Sequence, residues 1–218
     1  MRLIALCEHR WLPNHGLAPL KILLLVLPIL GYFLWQLDPM TIEEDGALEM
    51  GQTILLLLAG IMHVAQARRF KASSLAFAIH AGFALLAFSF AVRELDIDQF
   101  GTAPVWTILD RGLRIARTAL WIGFMVFLIP RLKQLYASRA AIIALPVISM
   151  SLVAGLFLIA GGLFDRHVFS WLSLPTSRFL EEVLELDGYL VFLAAAFSTT
   201  TETLAPGMQS PMRAGQDN

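Results

Sequence analysis

Ser177-Arg178-Phe179-Leu180-Glu181-Glu182-Val183-Leu184-Glu185-Leu186-Asp187-Gly188-Tyr189 leads into the apolar run Leu190 to Phe197, at the C-terminal end of a chain rich in such runs. The whole segment has helical spacing, yet its uninterrupted apolar part is short. Gly188 to Phe197 gives about 15 Å of helix, against a hydrocarbon core of roughly 30 Å. To cross a bilayer, this helix must carry its charged half below the lipid head groups. Glu181, Glu182, Glu185 and Asp187 then lie where unpaired charge is costly and faces the protein interior. A last helix of this kind predicts a polar site inside a bundle of membrane helices.

Working outward, the rest of the chain agrees with that class. Of 218 residues, 57% are hydrophobic and only 15% charged, and the mean hydropathy is +0.69. The apolar residues fall into runs close to twenty long, as transmembrane helices require. The short alternating segments of an outer-membrane barrel are missing. One cysteine, Cys7, excludes an internal disulfide and a cysteine-rich zinc module. The basic residues sit at helix ends without forming a dense basic face, which excludes nucleic acid as a partner.

The expected fold is all-α: a polytopic integral membrane protein with six transmembrane helices and both termini inside. Residues 1–20 form an interfacial N-terminal segment carrying Trp11, residues 21–200 the six-helix domain, and residues 201–218 a disordered cytoplasmic tail. The spans run from Lys21 to Leu37, from Thr41 to the Arg68-Arg69-Phe70-Lys71 cluster, and from Ala72 to Val92. Three more run from Gly112 to Ile129, Ala140 to Leu163 and Ser177 to Thr199. Lys21 and the apolar run after it resemble a signal peptide, but Gln36-Leu37-Asp38-Pro39 is a poor cleavage site, so the helix is retained. Pro28 is a tolerated kink. Thr41 and Glu44 fit a capping box for the second span.

Charge sorts with this count. Arg2, Arg10, Lys21, Arg68, Arg69, Lys71, Arg131, Lys133, Arg139 and Arg213 fall on one side, which the positive-inside rule makes cytoplasmic. The opposite side receives 14 of the 17 acids, with six arginines. This pattern points to a bacterial inner (plasma) membrane, with Trp106, Phe169 and Trp171 as interface anchors on the outer side.

The acids differ in what they imply. Glu43, Glu44 and Asp45 read as solvated residues of a helix first turn, favoured there by the dipole. Glu49 lies a turn deeper. Glu181 and Glu185, four apart, share a helix face, as do Arg178 and Glu182. Span three ends on Arg93-Glu94-Leu95-Asp96-Ile97-Asp98 and span four opens on Asp110-Arg111, with Arg114 and Arg117 at hydrocarbon depth. Both ends carry the wrong sign for the helix dipole, so each is expected to compensate the other. Arg114 and Arg117 would answer Glu49, Glu94 or Glu185 across the bundle. The candidate pocket residues are therefore Glu49, Glu94, Asp98, Arg114, Arg117, Glu181, Glu182 and Glu185.

That layer has two readings, an internal salt-bridge network that fixes packing or a pocket open to the outside. A pocket would bind a cation or a polar lipid head group, in a transport or accessory role beside lipid or other membrane subunits. With Glu49, Glu94 and Glu185 as oxygen ligands it would suit a divalent cation such as calcium, magnesium or manganese. Arginines would hold a phosphate. A metal-dependent hydrolase or transferase acting on a lipid or phosphorylated substrate is the alternative, and would need three carboxylates converging on one point. His63 and His80 lie at matched depth in spans two and three. They could hold a haem iron between two faces, making the protein an electron carrier, or each could bond a neighbouring helix, for instance at Ser73 or Ser89. No hydrolase elbow, His-Glu-x-x-His or phosphate-binding glycine loop occurs. No two histidines stand four apart, which excludes the zinc site of the alkaline ceramidase and adiponectin receptor superfamily.

Overall fold

A computed structural model describes residues 14–42, 46–95, 97–166 and 168–198. Cys7, Trp11, Glu43, Glu44, Asp45, Asp96 and the tail 201–218 lie outside them. The described residues are helical, with no strand among them. The order is α1 (Asn14–Leu37), a 3-10 turn (Pro39–Ile42), α2 (Ala47–Ala67), α3 (Leu75–Glu94), a 3-10 turn (Ile97–Phe100) and α4 (Pro104–Leu128). After a 3-10 turn (Ile129–Arg131) come the short α5 (Leu132–Ala137) and α6 (Arg139–Ile143), then α7 (Pro146–Asp165) and α8 (Leu174–Phe197).

Local chemistry explains where the helices begin. Pro104 and Pro146 open α4 and α7, preceded by Ala103 and Leu145 in extended backbone, because proline suits a first helical turn and pushes its predecessor out of the helical region. Ser74 caps α3 by accepting from the Phe77 amide at 3.1 Å. Ser173 caps α8 in the same way through Thr176, which starts that helix at Leu174 rather than Ser177. The helices therefore start at these caps and prolines, where apolar runs alone place span starts near Gly112, Ala140 and Ser177. The capping box at Thr41 is also corrected. Thr41 belongs to the 3-10 turn and donates to the Leu34 carbonyl, while α2 starts at Ala47 behind Gly46. At the N-terminus, α1 is described from Asn14 onward.

Five helical stretches are long and apolar enough to cross a membrane: Pro19–Leu37, Ala47–Ala67, Leu75–Glu94, Pro104–Ala137 and Pro146–Asp165. The sixth long helix, α8, exists but is too charged to join them on composition. Its position compensates for that. α8 packs against α7, α2 and α1, while α2 also packs on α3 and α4 leans on α3. Leu186 to Phe192 of α8 are all buried, whereas Asp110 is the one buried residue of α4. The long helix with the most acids is the central one.

Small side chains make the close contacts. A Cβ added to Gly188 would stand 3.2 Å from the Ala154 carbonyl, and one added to Gly161 would stand 3.1 Å from Glu185 Cγ. These glycines bring α7 and α8 together as small residues do between membrane helices. The core is built of Ala59, Ala87, Met150, Ala154, Val191 and Ala195, while Ile22, Leu25, Ile54, Ile61, Ile122, Val126, Leu156 and Ile159 are exposed. Alanines packed among the buried apolar residues, with many large apolar residues outside, are compatible with an integral membrane protein.

The two ends of the bundle differ in charge. Arg68, Arg69 and Lys71 follow α2, and Arg131 reaches back to donate to the Ala72 carbonyl at 3.1 Å. Lys133 and Arg139 continue this basic end on α5 and α6. The opposite, acidic end holds the site.

Candidate functional site

At the acidic end four helices leave a cavity of about 430 Å³. α2 contributes Glu49; α3 contributes Phe90, Arg93 and Glu94. From α7 come Leu158, Gly162 and Asp165, with Arg166 just past its end, and from α8 come Glu181, Glu182, Glu185 and Tyr189. Residues 181, 185 and 189 are one helical turn apart, which gives α8 a single polar face over the cavity.

Three sets of bonds hold the walls. Gln52, only 1% exposed, donates from Nε2 to the Glu182 carbonyl at 3.0 Å and to Glu182 Oε2 at 2.7 Å. This ties α2 to α8 and fixes the Glu182 carboxylate. Tyr189, 1% exposed, donates its hydroxyl to Glu94 Oε1 at 2.9 Å. Arg93 donates to the same oxygen from Nε at 3.0 Å and from Nη2 at 2.6 Å. Its Nη2 also stands 3.7 Å from Glu185 Oε2, so one guanidinium serves carboxylates on two helices.

Five of the eight expected pocket residues meet here: Glu49, Glu94, Glu181, Glu182 and Glu185. Asp98 lies in the 3-10 turn Ile97–Phe100, and its side chain falls outside the description. Arg114 and Arg117 do not line the cavity, and the expected pairing across the bundle is corrected. Arg114 donates from Nε to Asp110 Oδ2 at 2.7 Å, four residues back on its own helix. α4 lies at the periphery beyond α3, so the cation that faces Glu94 and Glu185 is Arg93. Sequence reasoning missed Gln52, Tyr189 and the site roles of Arg93, Asp165 and Arg166. Gln52 did carry a signal, as a polar side chain three residues after Glu49 inside an apolar run. Asp187, expected to be deep, is 6% exposed but lies outside the lining, with no hydrogen-bond partner for Oδ1 among the described residues.

The lining carries six carboxylates and two guanidiniums, a formal excess of four negative charges. It does not form a metal cage: among the described residues no three histidines, cysteines or carboxylates come together as a metal site. Glu49, Glu94 and Glu185 share the cavity without converging, because Arg93 and Tyr189 hold Glu94 while Glu185 faces Arg93.

His63 and His80 also meet, toward the basic end. Both are 0% exposed, and their Nδ1 atoms stand 3.0 Å apart as one hydrogen bond between α2 and α3. Two nitrogens binding one metal from opposite faces at about 2 Å each would be about 4 Å apart, with a porphyrin between them. Here the rings touch directly, and Phe70, Phe83 and Phe192 cover their faces. The arrangement described is a hydrogen-bonded pair. Ser89 is not their partner, since it accepts from Trp121 Nε1 at 2.9 Å.

The chain matches no known protein family, no curated protein and no solved structure.

Proposed function

We propose that the protein is a six-span membrane protein, both termini cytoplasmic, whose carboxylate-lined cavity binds a cationic group from the outer side of a bacterial inner membrane. In this reading α8 is the sixth span, shielded from lipid by its neighbours. The role is that of a binding or accessory component for a cation or a polar head group.

The observation that carries the reading is the excess of carboxylates over guanidiniums around one open volume. Like charges this close repel unless a counter-charge sits among them, and the Arg93 guanidinium is spread over two of the acids. About 430 Å³ lies in the range of small-molecule sites. That room, together with the lack of convergent ligands, favours a compact organic cation over a bare metal ion.

Titration calorimetry of the detergent-purified protein with ethylammonium chloride tests this. Saturable binding is expected, weakened about tenfold, or roughly 1.4 kcal/mol, by Glu181→Gln. A protein that binds no ethylammonium, or a variant that binds it as well as the native chain, overturns the proposal. The charged layer would then be a packing network.

A further inference from the structure

Beside the polar cavity lies an apolar pocket of about 270 Å³, toward the basic end between α3, α4 and α7. The two share walls. On α3, Ile79, Gly82 and Leu86 line the apolar pocket, and Phe90 and Arg93 line the polar one. These five follow one another at three- and four-residue steps, which is one continuous face of a helix. On α7, Ile148 lines the apolar pocket and Gly162 the polar one. Gly155 falls midway, seven residues from each, so all three lie on one face.

That face is open. A Cβ added to Gly155 or Gly162 would meet nothing within 4 Å, in contrast to Gly161 of α7 and Gly188 of α8, which are pressed into the α7–α8 contact. α3 and α7 do not pack against each other along their lengths. Both helices border both volumes, the polar cavity toward one end and the apolar pocket, down to Ile148, toward the other. From Ile148 to Asp165 this is about 25 Å of helix. Half of a bilayer, head groups included, is about 20–22 Å.

We infer that the polar cavity and the apolar pocket are two ends of one cleft, and that its occupant is an amphiphile with an ammonium head group, of the aminophospholipid class. This rests on the cation-binding reading above and deepens it. The carboxylates take the ammonium, and Phe90 and Leu158 mark the change to apolar lining. The chain lies along Gly155 toward Leu86 and Ile148. Arg166, exposed beside the cavity, offers a counter-charge to the phosphate of such a head group. A free cation would use only the upper half and give the apolar half no purpose, whereas an anionic lipid would meet six carboxylates.

The test uses the full chain in a non-ionic detergent. Native mass spectrometry follows retention of lysophosphatidylethanolamine against lysophosphatidylglycerol of the same chain length, and calorimetry with ethylammonium runs in parallel. The ethanolamine lipid is expected to be retained at least tenfold better. Gly155→Phe, which fills the cleft below the carboxylates, is expected to weaken lysolipid retention about tenfold and leave ethylammonium binding unchanged. That unchanged binding also shows that the variant is folded. Glu181→Gln should weaken both ligands.

Equal retention of the two lipids, or a Gly155→Phe protein that retains lysolipid normally, sinks the amphiphile inference while ethylammonium binding keeps the cation site. A dimer that Gly155→Phe dissolves would put a second copy in the cleft and sink it too. Failure of ethylammonium and lysolipid alike removes both readings.

Discussion

Gln52 shows how one side chain can set the geometry of a charged site. Its amide gives both protons to Glu182, one to the backbone and one to the carboxylate, in a place water does not reach. Gln52→Leu fits the space but leaves an acceptor without its donor, and hydrogen bonds to charged groups contribute about 1.5–3 kcal/mol. A loss of about 2 kcal/mol is expected, read as a lower thermal midpoint in detergent. An unchanged midpoint would mean the bond is not formed in solution. His63 and His80 form the other buried pair, and removing one strands the other's Nδ1. His80→Leu should therefore cost more than half of the double change to leucine. Coupling in a double-mutant cycle is expected near 1 kcal/mol, and additive effects would show that the rings do not bond. At this scale the sequence was legible in part. Glu49, Glu94, Glu181, Glu182 and Glu185 could be picked out because apolar runs make a deep carboxylate conspicuous. Arg93 as their cation could not: depth along an axis says nothing of azimuth, and Arg114 sits at a plausible depth on a helix that stands off to one side.

Among the helices, the glycines of α7 and α8 divide into two kinds. Gly188 meets backbone: its added Cβ would lie 3.2 Å from the Ala154 carbonyl, and a carbonyl cannot swing aside as a side chain does. Gly155 meets open space. Gly188→Ala should push α7 from α8 and lower the thermal midpoint, despite alanine's better helix propensity. Gly155→Ala should be neutral or add about 0.5–1 kcal/mol, the usual gain over glycine within a helix. Equal effects at the two positions would refute the close α7–α8 contact. Hydropathy alone ranks these glycines identically, so this part of the fold was hidden in the sequence. Helix existence was plain from runs near twenty residues. Helix starts were not, because Pro104, Pro146, Ser74 and Ser173 govern them through backbone geometry and capping rather than through apolarity.

For the whole molecule, the central question is which way the acidic end faces. The separation of charge between the two ends follows from an up-and-down bundle and was already visible in the order of lysines and arginines. Less visible was that α8 would occupy the centre, since a helix with four acids looks like the one least suited to it. Such a place is compatible with a membrane bundle, in which charges face the bundle interior or a water-filled cavity rather than lipid. If α8 spans, six crossings return the chain to its starting side, and the positive-inside rule puts the basic end in the cytoplasm. With Cys7 replaced by serine, single cysteines at Trp171 (79% exposed) and at the exposed Lys71 report the two ends. In intact cells a membrane-impermeant maleimide should label the Trp171→Cys protein and spare Lys71→Cys until the membrane is opened. The opposite pattern would turn the cavity toward the cytoplasm and make its ligand an internal cation or an inner-leaflet lipid. Labelling of both in intact cells would mean that the chain crosses the membrane an even number of times between Lys71 and Trp171, so that α3, α4 and α7 are not three separate spans. The six-span topology, and the outward-facing acidic end that it implies, would then be wrong.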